Sequence, residues 1–185
     1  MLKPIVKYQG GKSKEIPVIK QYAKSAKRII EPFAGGAAAA FYLEKPAVLC
    51  DINHNVINLY QTVANSKDFE ELLQDIDRLK GGDHDILEEE YYIARDYINQ
   101  NKDSTDYDAQ KAYSYIVLRQ LCFSGMERYN GDGEFNVPFG HYKSFSCNLS
   151  PKHHTFLQSC ELVHGSFEQV TIEEGDFVFL DPPYL

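Results

Sequence analysis

Two spacings of apolar residues divide this chain. Near its start, Arg28-Ile29-Ile30-Glu31-Pro32-Phe33 and Pro46-Ala47-Val48-Leu49-Cys50 are short apolar runs with breakers at their edges, which predicts buried strands. Between them Ala34-Gly35-Gly36 predicts a turn, and Ala37 to Leu43, rich in alanine, a helix. From Asn55 the spacing becomes helical. Val56, Leu59, Tyr60 and Val63 form one stripe, and Phe69, Leu72, Leu73, Ile76 and Leu79 a second. Lys80-Gly81-Gly82-Asp83 interrupts the period, and Asp85-Ile86-Leu87-Glu88 opens a helix carrying Leu87, Tyr91, Ala94 and Ile98. A further helix is expected from about Asp108 to Leu121, with Tyr113, Ile116, Val117 and Gln120 on one side. Strand character returns at Glu161-Leu162-Val163-His164 and at Asp176-Phe177-Val178-Phe179-Leu180. The last run has four apolar residues without a polar break, which predicts a strand of a parallel sheet buried on both faces. Strands and helices in this order make an α/β protein with a mainly helical insertion.

Composition narrows the class only a little. The 185 residues suit one domain with an insertion or two small ones, and 43% hydrophobic with 25% charged residues is ordinary for a soluble globular protein. No apolar run has the length of a membrane span, and Met1-Leu2-Lys3-Pro4 does not open a signal peptide, so a cytoplasmic protein without membrane contact is expected. Cys50, Cys122, Cys147 and Cys160 lack a Cys-x-x-Cys spacing and are read as free thiols. The net charge of −8 is uneven: residues 68–108 carry 14 acidic and 4 basic side chains, which leaves a net of +2 for the remainder. Residues 1–30 hold eight Lys/Arg against the single Glu15, so the bulk charge neither supports nor excludes a nucleic-acid partner.

The candidate chemistry lies at strand ends. Asp181 follows the final apolar run and precedes a proline, which biases it towards an extended conformation at the carboxyl edge of the sheet. An amine conjugated to an aromatic ring is a poor nucleophile because its lone pair is delocalised. Acceptors on both N–H groups draw the nitrogen towards a tetrahedral shape; Asp181 and the Pro182 carbonyl suit that task, with Tyr184 stacking on the base. Pro183 completes the turn. An ordinary Pro-Pro turn with Tyr184 as packing is the competing reading. Gly35 and Asp51, sixteen residues apart, are the parts of an adenosine site, with backbone close to the ligand and a carboxylate for ribose hydroxyls. Gly-x-Gly-x-x-Gly is absent, which disfavours NAD, and the Lys7 to Lys14 segment lacks P-loop spacing. Gly165-Ser166-Phe167 is expected on the same edge of the sheet. Asn130-Gly131 and Asp132-Gly133 predict a hairpin within the aromatic-rich stretch from Cys122 to Lys143, either a β-ribbon for a DNA major groove or a surface hairpin packed on the helices. His153-His154 reads as a solvated loop, not a metal site.

Taken in order, these segments resemble the α-group DNA adenine methyltransferases, particularly the Dam type that modifies GATC. Lys7 to Lys12 matches the family's Lys-aromatic-x-Gly-Gly-Lys, Glu31 to Gly35 its Glu-Pro-Phe-x-Gly turn, and Asp51 its acid after strand two. Arg128 to Lys143 matches its Arg-Tyr-Asn…Gly-Glu-Phe-Asn-Val-Pro-Phe-Gly-x-Tyr-Lys hairpin, and Asp181 to Tyr184 its Asp-Pro-Pro-Tyr quartet. The resemblance implies a Rossmann-like sheet formed by residues 1–53 and 146–185, with a target-recognition domain at 54–145. It implies S-adenosylmethionine as methyl donor, held by Tyr8, Lys12, Phe33, Ala34, Gly35, Asp51, Ile52, Ser166, Phe167 and Asp181, without a metal. It implies double-stranded DNA as partner of a monomeric enzyme. Lys7 and Arg128 would contact guanines, and Met126 and Pro138 the thymine methyl; Phe123 would enter the duplex as the adenine leaves it, and Ser124 would touch the backbone. Asn130, Tyr142 and Lys143 belong to the same hairpin set. Two departures stand out. Ala37 occupies a place where the family often has a second glycine, which is harmless if its φ is negative. Family members also continue beyond the quartet, so the last strand is expected to lie at an edge, and a non-catalytic DNA- or cofactor-binding fragment is the alternative reading. Related quartets also suit RNA bases and amide side chains.

Overall fold

The computed structural model describes residues 1–8, 10–12 and 15–182; Pro183 and Tyr184 of the quartet lie outside the described residues. The strands are β1 (Ile29–Glu31), β2 (Ala47–Asp51), β3 (Glu161–His164) and β4 (Phe177–Val178), all parallel in the order β3-β2-β1-β4. Among the described residues seven α-helices accompany them: α1 (Ile16–Tyr22), α2 (Ala38–Leu43), α3 (His54–Ala64), α4 (Ser66–Leu79), α5 (His84–Gln100), α6 (Ala109–Leu121) and α7 (Pro151–Leu157). Register pairs Ile29 with Ala47 and Phe177, and Asp51 with His164, so every strand ends towards the same edge. No described helix is long and apolar enough to cross a membrane.

Local chemistry explains the helix starts. The side chains of Asn53, Asn65, Asp83 and Asp108 accept hydrogen bonds from the first amides of α3, α4, α5 and α6. Helix α5 therefore begins at His84 rather than at Asp85, because the Asp83 carboxylate takes the Asp85 and Ile86 amides. The stripes of α3 and α4 face a core shared with β1 and β2, with Leu73 at its margin.

Three expectations are corrected. Helix α6 is buried from Lys111 to Leu121 apart from the half-buried Tyr113, with Lys111, Ser114, Arg119 and Gln120 among the buried residues, because it runs between α3, α5 and the N-terminal segment. His153 and His154 lie in α7, not in a solvated loop. The buried His153 ring bridges Ser150 Oγ and the Lys3 carbonyl, while His154 contacts the Val63 carbonyl and stacks on Phe69. The final apolar run is not buried on both faces: Phe177, Val178 and Phe179 are half-buried, and Leu180 is 63% exposed. Among the described strands β4 pairs only with β1. All four cysteines are free.

Candidate active site and nucleic-acid face

The loops that leave the four parallel strands converge on one cleft of about 940 Å³ at the carboxyl edge of the sheet. After β1 the chain must turn sharply into α2, and Gly35 (φ +45) makes that turn. Its N–H donates to Asp51 Oδ2 at 2.8 Å, and its carbonyl accepts from the buried Tyr60 hydroxyl at 2.6 Å. A Cβ on Gly35 would lie 2.7 Å from Tyr8 Cε1, so the absent side chain is what lets the Tyr8 ring lie on the turn. Ala37 also takes a left-handed conformation (φ +49), so the negative φ that would make alanine harmless is not what the fold requires.

Asp51 ends β2. Its Oδ1 accepts from the Asn53 N–H at 2.8 Å. Burial raises its pKa, the two backbone N–H groups oppose that, and the charge of Glu127 adds to it. Glu31, at the end of β1, is more strongly perturbed. It is buried, accepts from the Ala40 N–H at 2.6 Å, and is pushed up to about 8 by loss of hydration, with the Asp181 charge contributing. Across the cleft, Phe33 and Phe167 have ring centroids 5.4 Å apart, and Ile52 is 80% exposed beside them. Phe167 is exposed too. A flat apolar ligand at this mouth would cover surface that now meets water.

Beyond β4 the ladder continues through the Phe179 N–H, which donates to the Ile30 carbonyl at 2.8 Å and directs Asp181 and Pro182 into the cleft wall. Lys12 Nζ donates to Asp181 Oδ2 at 2.7 Å and to the Gly10 carbonyl at 2.8 Å. All ten residues assigned to the cofactor from the sequence line this one cleft. Glu31, Asn53, Gln120, Cys147 and Asn148 line it as well and received no site role from the sequence. A signal existed for Gln120, since a polar residue within an apolar helical stripe calls for a partner.

Of the residues assigned to DNA, Tyr142 touches Lys7, and Met126 is tied to the Lys7 backbone through Arg119. The Lys7 ammonium donates to the Gln120 carbonyl at 2.7 Å and lies 4.2 Å from the centre of the half-buried Tyr142 ring. Phe123 and Ser124 form an exposed 3₁₀ turn with Gly125; Phe123 donates through its N–H to the Pro138 carbonyl at 2.9 Å, and Ser124 has a positive φ of 55°. The Met126 N–H closes this turn on the Phe123 carbonyl. The hairpin is narrow: Tyr129 bridges Phe135, and the Asn136 N–H donates to the Arg128 carbonyl at 3.1 Å. Exposed Arg128 is tied through Nε to Asn136 Oδ1 at 2.8 Å. Asn130 spends its side chain on the turn, accepting from the Asp132 and Glu134 amides. Lys143 is exposed. Helix α5 holds the hairpin in place, with Asn99 pairing both backbone groups of Phe135 and the Tyr91 hydroxyl donating to the Val137 carbonyl.

A glycine turn and a terminal acid on adjacent parallel strands, opening on a common cleft, are the framework of the Rossmann-like methyltransferases, and this fold is of that class. Comparison with known proteins narrows the class. A sequence model of the D12 class N6 adenine-specific DNA methyltransferases matches residues 8–185. The chain is 35% identical to the type II methyltransferase M.CviBI of Paramecium bursaria Chlorella virus NC1A, with 99% of this chain and 69% of that protein covered. It is 33% identical to the type II methyltransferase M.MjaIII of Methanocaldococcus jannaschii over the same shares. It is 32% identical to the retron Ec67 DNA adenine methylase of Escherichia coli, over 97% of this chain and 63% of that protein. The chain belongs to the D12 class of N6 adenine-specific DNA methyltransferases. Membership implies S-adenosylmethionine as methyl donor and DNA as substrate.

Proposed function

We propose that this chain methylates the exocyclic amine of adenine within GATC in duplex DNA, after the base has left the stack. The observation that carries the reading is the meeting of Asp181 and Pro182 with Asp51, Phe33 and Phe167 around one cleft that Lys7 also lines, the Lys7 ammonium being bonded to the Gln120 carbonyl three residues before Phe123. The residues present fit S-adenosylmethionine. Asp51 is an acceptor for ribose hydroxyls, the Phe33–Phe167 pair and Ile52 offer an apolar slot for a purine, and Tyr8, Lys12, Ala34, Gly35 and Ser166 complete the wall. When bound, the cofactor supplies an electrophilic methyl group.

This chain's own residues do the rest. Asp181 Oδ2 is engaged by Lys12, so Oδ1 accepts one N–H of the amine and the Pro182 carbonyl accepts the other. That pair localises the nitrogen lone pair, and positioning supplies most of the rate. Pro183 and Tyr184 complete the quartet in this proposal, with Tyr184 stacking on the base. Residues 54–145 act as the target-recognition domain, and residues 1–53 with 146–185 form the catalytic one. Lys7 and Arg128 read guanines, Met126 and Pro138 meet the thymine methyl, and Phe123 fills the space of the extruded adenine. Ser124, Tyr142 and Lys143 hold the DNA backbone, and Asn130 shapes the hairpin turn.

The test is methyl transfer from labelled S-adenosylmethionine to duplexes that differ by one base pair within GATC. The proposal expects each substitution to lower transfer by at least about tenfold. Equal labelling of all duplexes would reject GATC, and labelling of RNA or peptide in preference to duplex would reject the substrate.

A further inference from the structure

Arg119, at the end of α6, has no exposed surface and joins that helix to two other segments. Its Nε and Nη2 donate to the Lys7 carbonyl at 3.2 and 2.9 Å, and its Nη1 donates to the Met126 carbonyl at 3.2 Å. The same Nη1 lies 3.2 Å from Glu127 Oε2, and the guanidinium stands 5.2 Å from the centre of the Tyr8 ring. Glu127 Oε1 in turn accepts from Asn53 Nδ2 at 3.2 Å and from the Tyr129 hydroxyl at 2.7 Å. Asn53 is bonded through its backbone to Asp51, and Asp51 to Gly35.

An ion pair between a fully buried guanidinium and a largely buried carboxylate is weak evidence of a device for stability, because an apolar pair of similar volume often does as well. What it provides is direction. One bonded chain runs from Gly35 and Asp51, through Asn53, Glu127 and Arg119, to the backbones of Lys7 and Met126. The first end lines the cleft, and the second carries side chains assigned to the bases.

We propose that the Arg119–Glu127 pair is a positioning device that couples occupation of the cofactor cleft to binding of the duplex. This rests on the reading of function given above. A ligand bonded to Asp51 fixes the Asn53 loop; Asn53 fixes Glu127; and Glu127 fixes Arg119, which sets Lys7 and Met126. Coupling of this kind is reciprocal: each ligand must tighten the other by the same factor.

The experiment measures that factor in the full chain. The dissociation constant of a fluorescent duplex containing GATC is measured with and without saturating S-adenosylhomocysteine, and that of S-adenosylhomocysteine with and without duplex. The native protein is expected to show mutual tightening of about fivefold or more. In Glu127→Gln, where an amide faces the guanidinium, the factor falls below about twofold, while S-adenosylhomocysteine alone binds within about threefold of its native affinity. Asn53→Ser keeps a capping oxygen for the Asn55 N–H and the backbone bond to Asp51, removes the Nδ2 that reaches Glu127, and is expected to reduce the factor in the same way. Native coupling in folded Glu127→Gln or Asn53→Ser overturns the proposal, and so does a native protein that binds both ligands independently. A native protein that binds neither ligand overturns the functional reading itself, and the coupling with it.

Discussion

Gly35→Ala tests the geometry of the cleft floor through stability alone. Gly35 has φ +45, a conformation that costs an L-residue about 1–2 kcal/mol. The new Cβ would stand 2.7, 3.0 and 3.1 Å from Tyr8 Cε1, Cζ and Cδ1. The turn cannot slide away cheaply, because its N–H is bonded to Asp51 and its carbonyl to Tyr60, each bond contributing about 1 kcal/mol. Forcing the ring aside adds about 1–3 kcal/mol. Alanine also restricts the unfolded chain, which returns about 0.4–1 kcal/mol. The net expectation is a loss of about 2–3 kcal/mol, read as a lower urea midpoint at unchanged slope. Repeating the substitution in a Tyr8→Ala background separates the parts: without the ring, only the backbone cost of about 1 kcal/mol remains. Equal losses in both backgrounds would show that Tyr8 does not cover Gly35. A loss below about 0.5 kcal/mol in the native background would refute the strained turn.

The buried Glu31 makes stability depend on pH. Its folded pKa of about 8 lies above the ordinary 4.5, so the unfolded chain releases a proton that the folded chain keeps, and stability falls as pH rises through that window. Glu31→Gln removes the fall, and its melting temperature should gain on the native protein steadily between those two pH values. Asp176 behaves oppositely: the Arg28 guanidinium, bonded through Nε and Nη2, lowers its pKa. Its contribution is present above the ordinary value of 3.8 and lost as pH falls through the folded one, so Asp176→Asn should weaken the neutral protein and flatten its acid limb. Phe123, 50% exposed, should tolerate alanine within about 0.5 kcal/mol of stability. Transfer to paired adenine should slow, while transfer to adenine opposite a gap stays near native, since an unpaired base needs no wedge.

Local patterns made much of this architecture legible. Alternating short strands and stripes located β1, β2 and α3 to α6, and a glycine turn with an acid at the next strand end located the cleft. What escaped depends on long-range packing. Four apolar residues in a row look the same in a strand buried on both faces and in one that is partly exposed, as Phe177–Leu180 shows. The left-handed φ of Ala37 arises from tertiary closure of the β1–α2 turn, and no local preference of alanine announces it. For α5 the sequence points to a start at Asp85, and only geometry shows that the Asp83 carboxylate meets the first amides. His153-His154 reads as a loop by composition, although Ser150-Pro151 ahead of it is a helix-start signal. The partners of Arg119 in the Lys7 segment are remote in sequence, so its bridging position had no local mark.

The most direct measurement of the central claim is single-turnover transfer of labelled methyl from S-adenosylmethionine to a GATC duplex by the native chain and by Asp181→Ala, with analysis of the nucleosides. The account predicts label in N6-methyladenine with the native chain, and a loss of at least about a thousandfold in Asp181→Ala while duplex and S-adenosylhomocysteine still bind. Label in another base, or native-like transfer by Asp181→Ala, would contradict it.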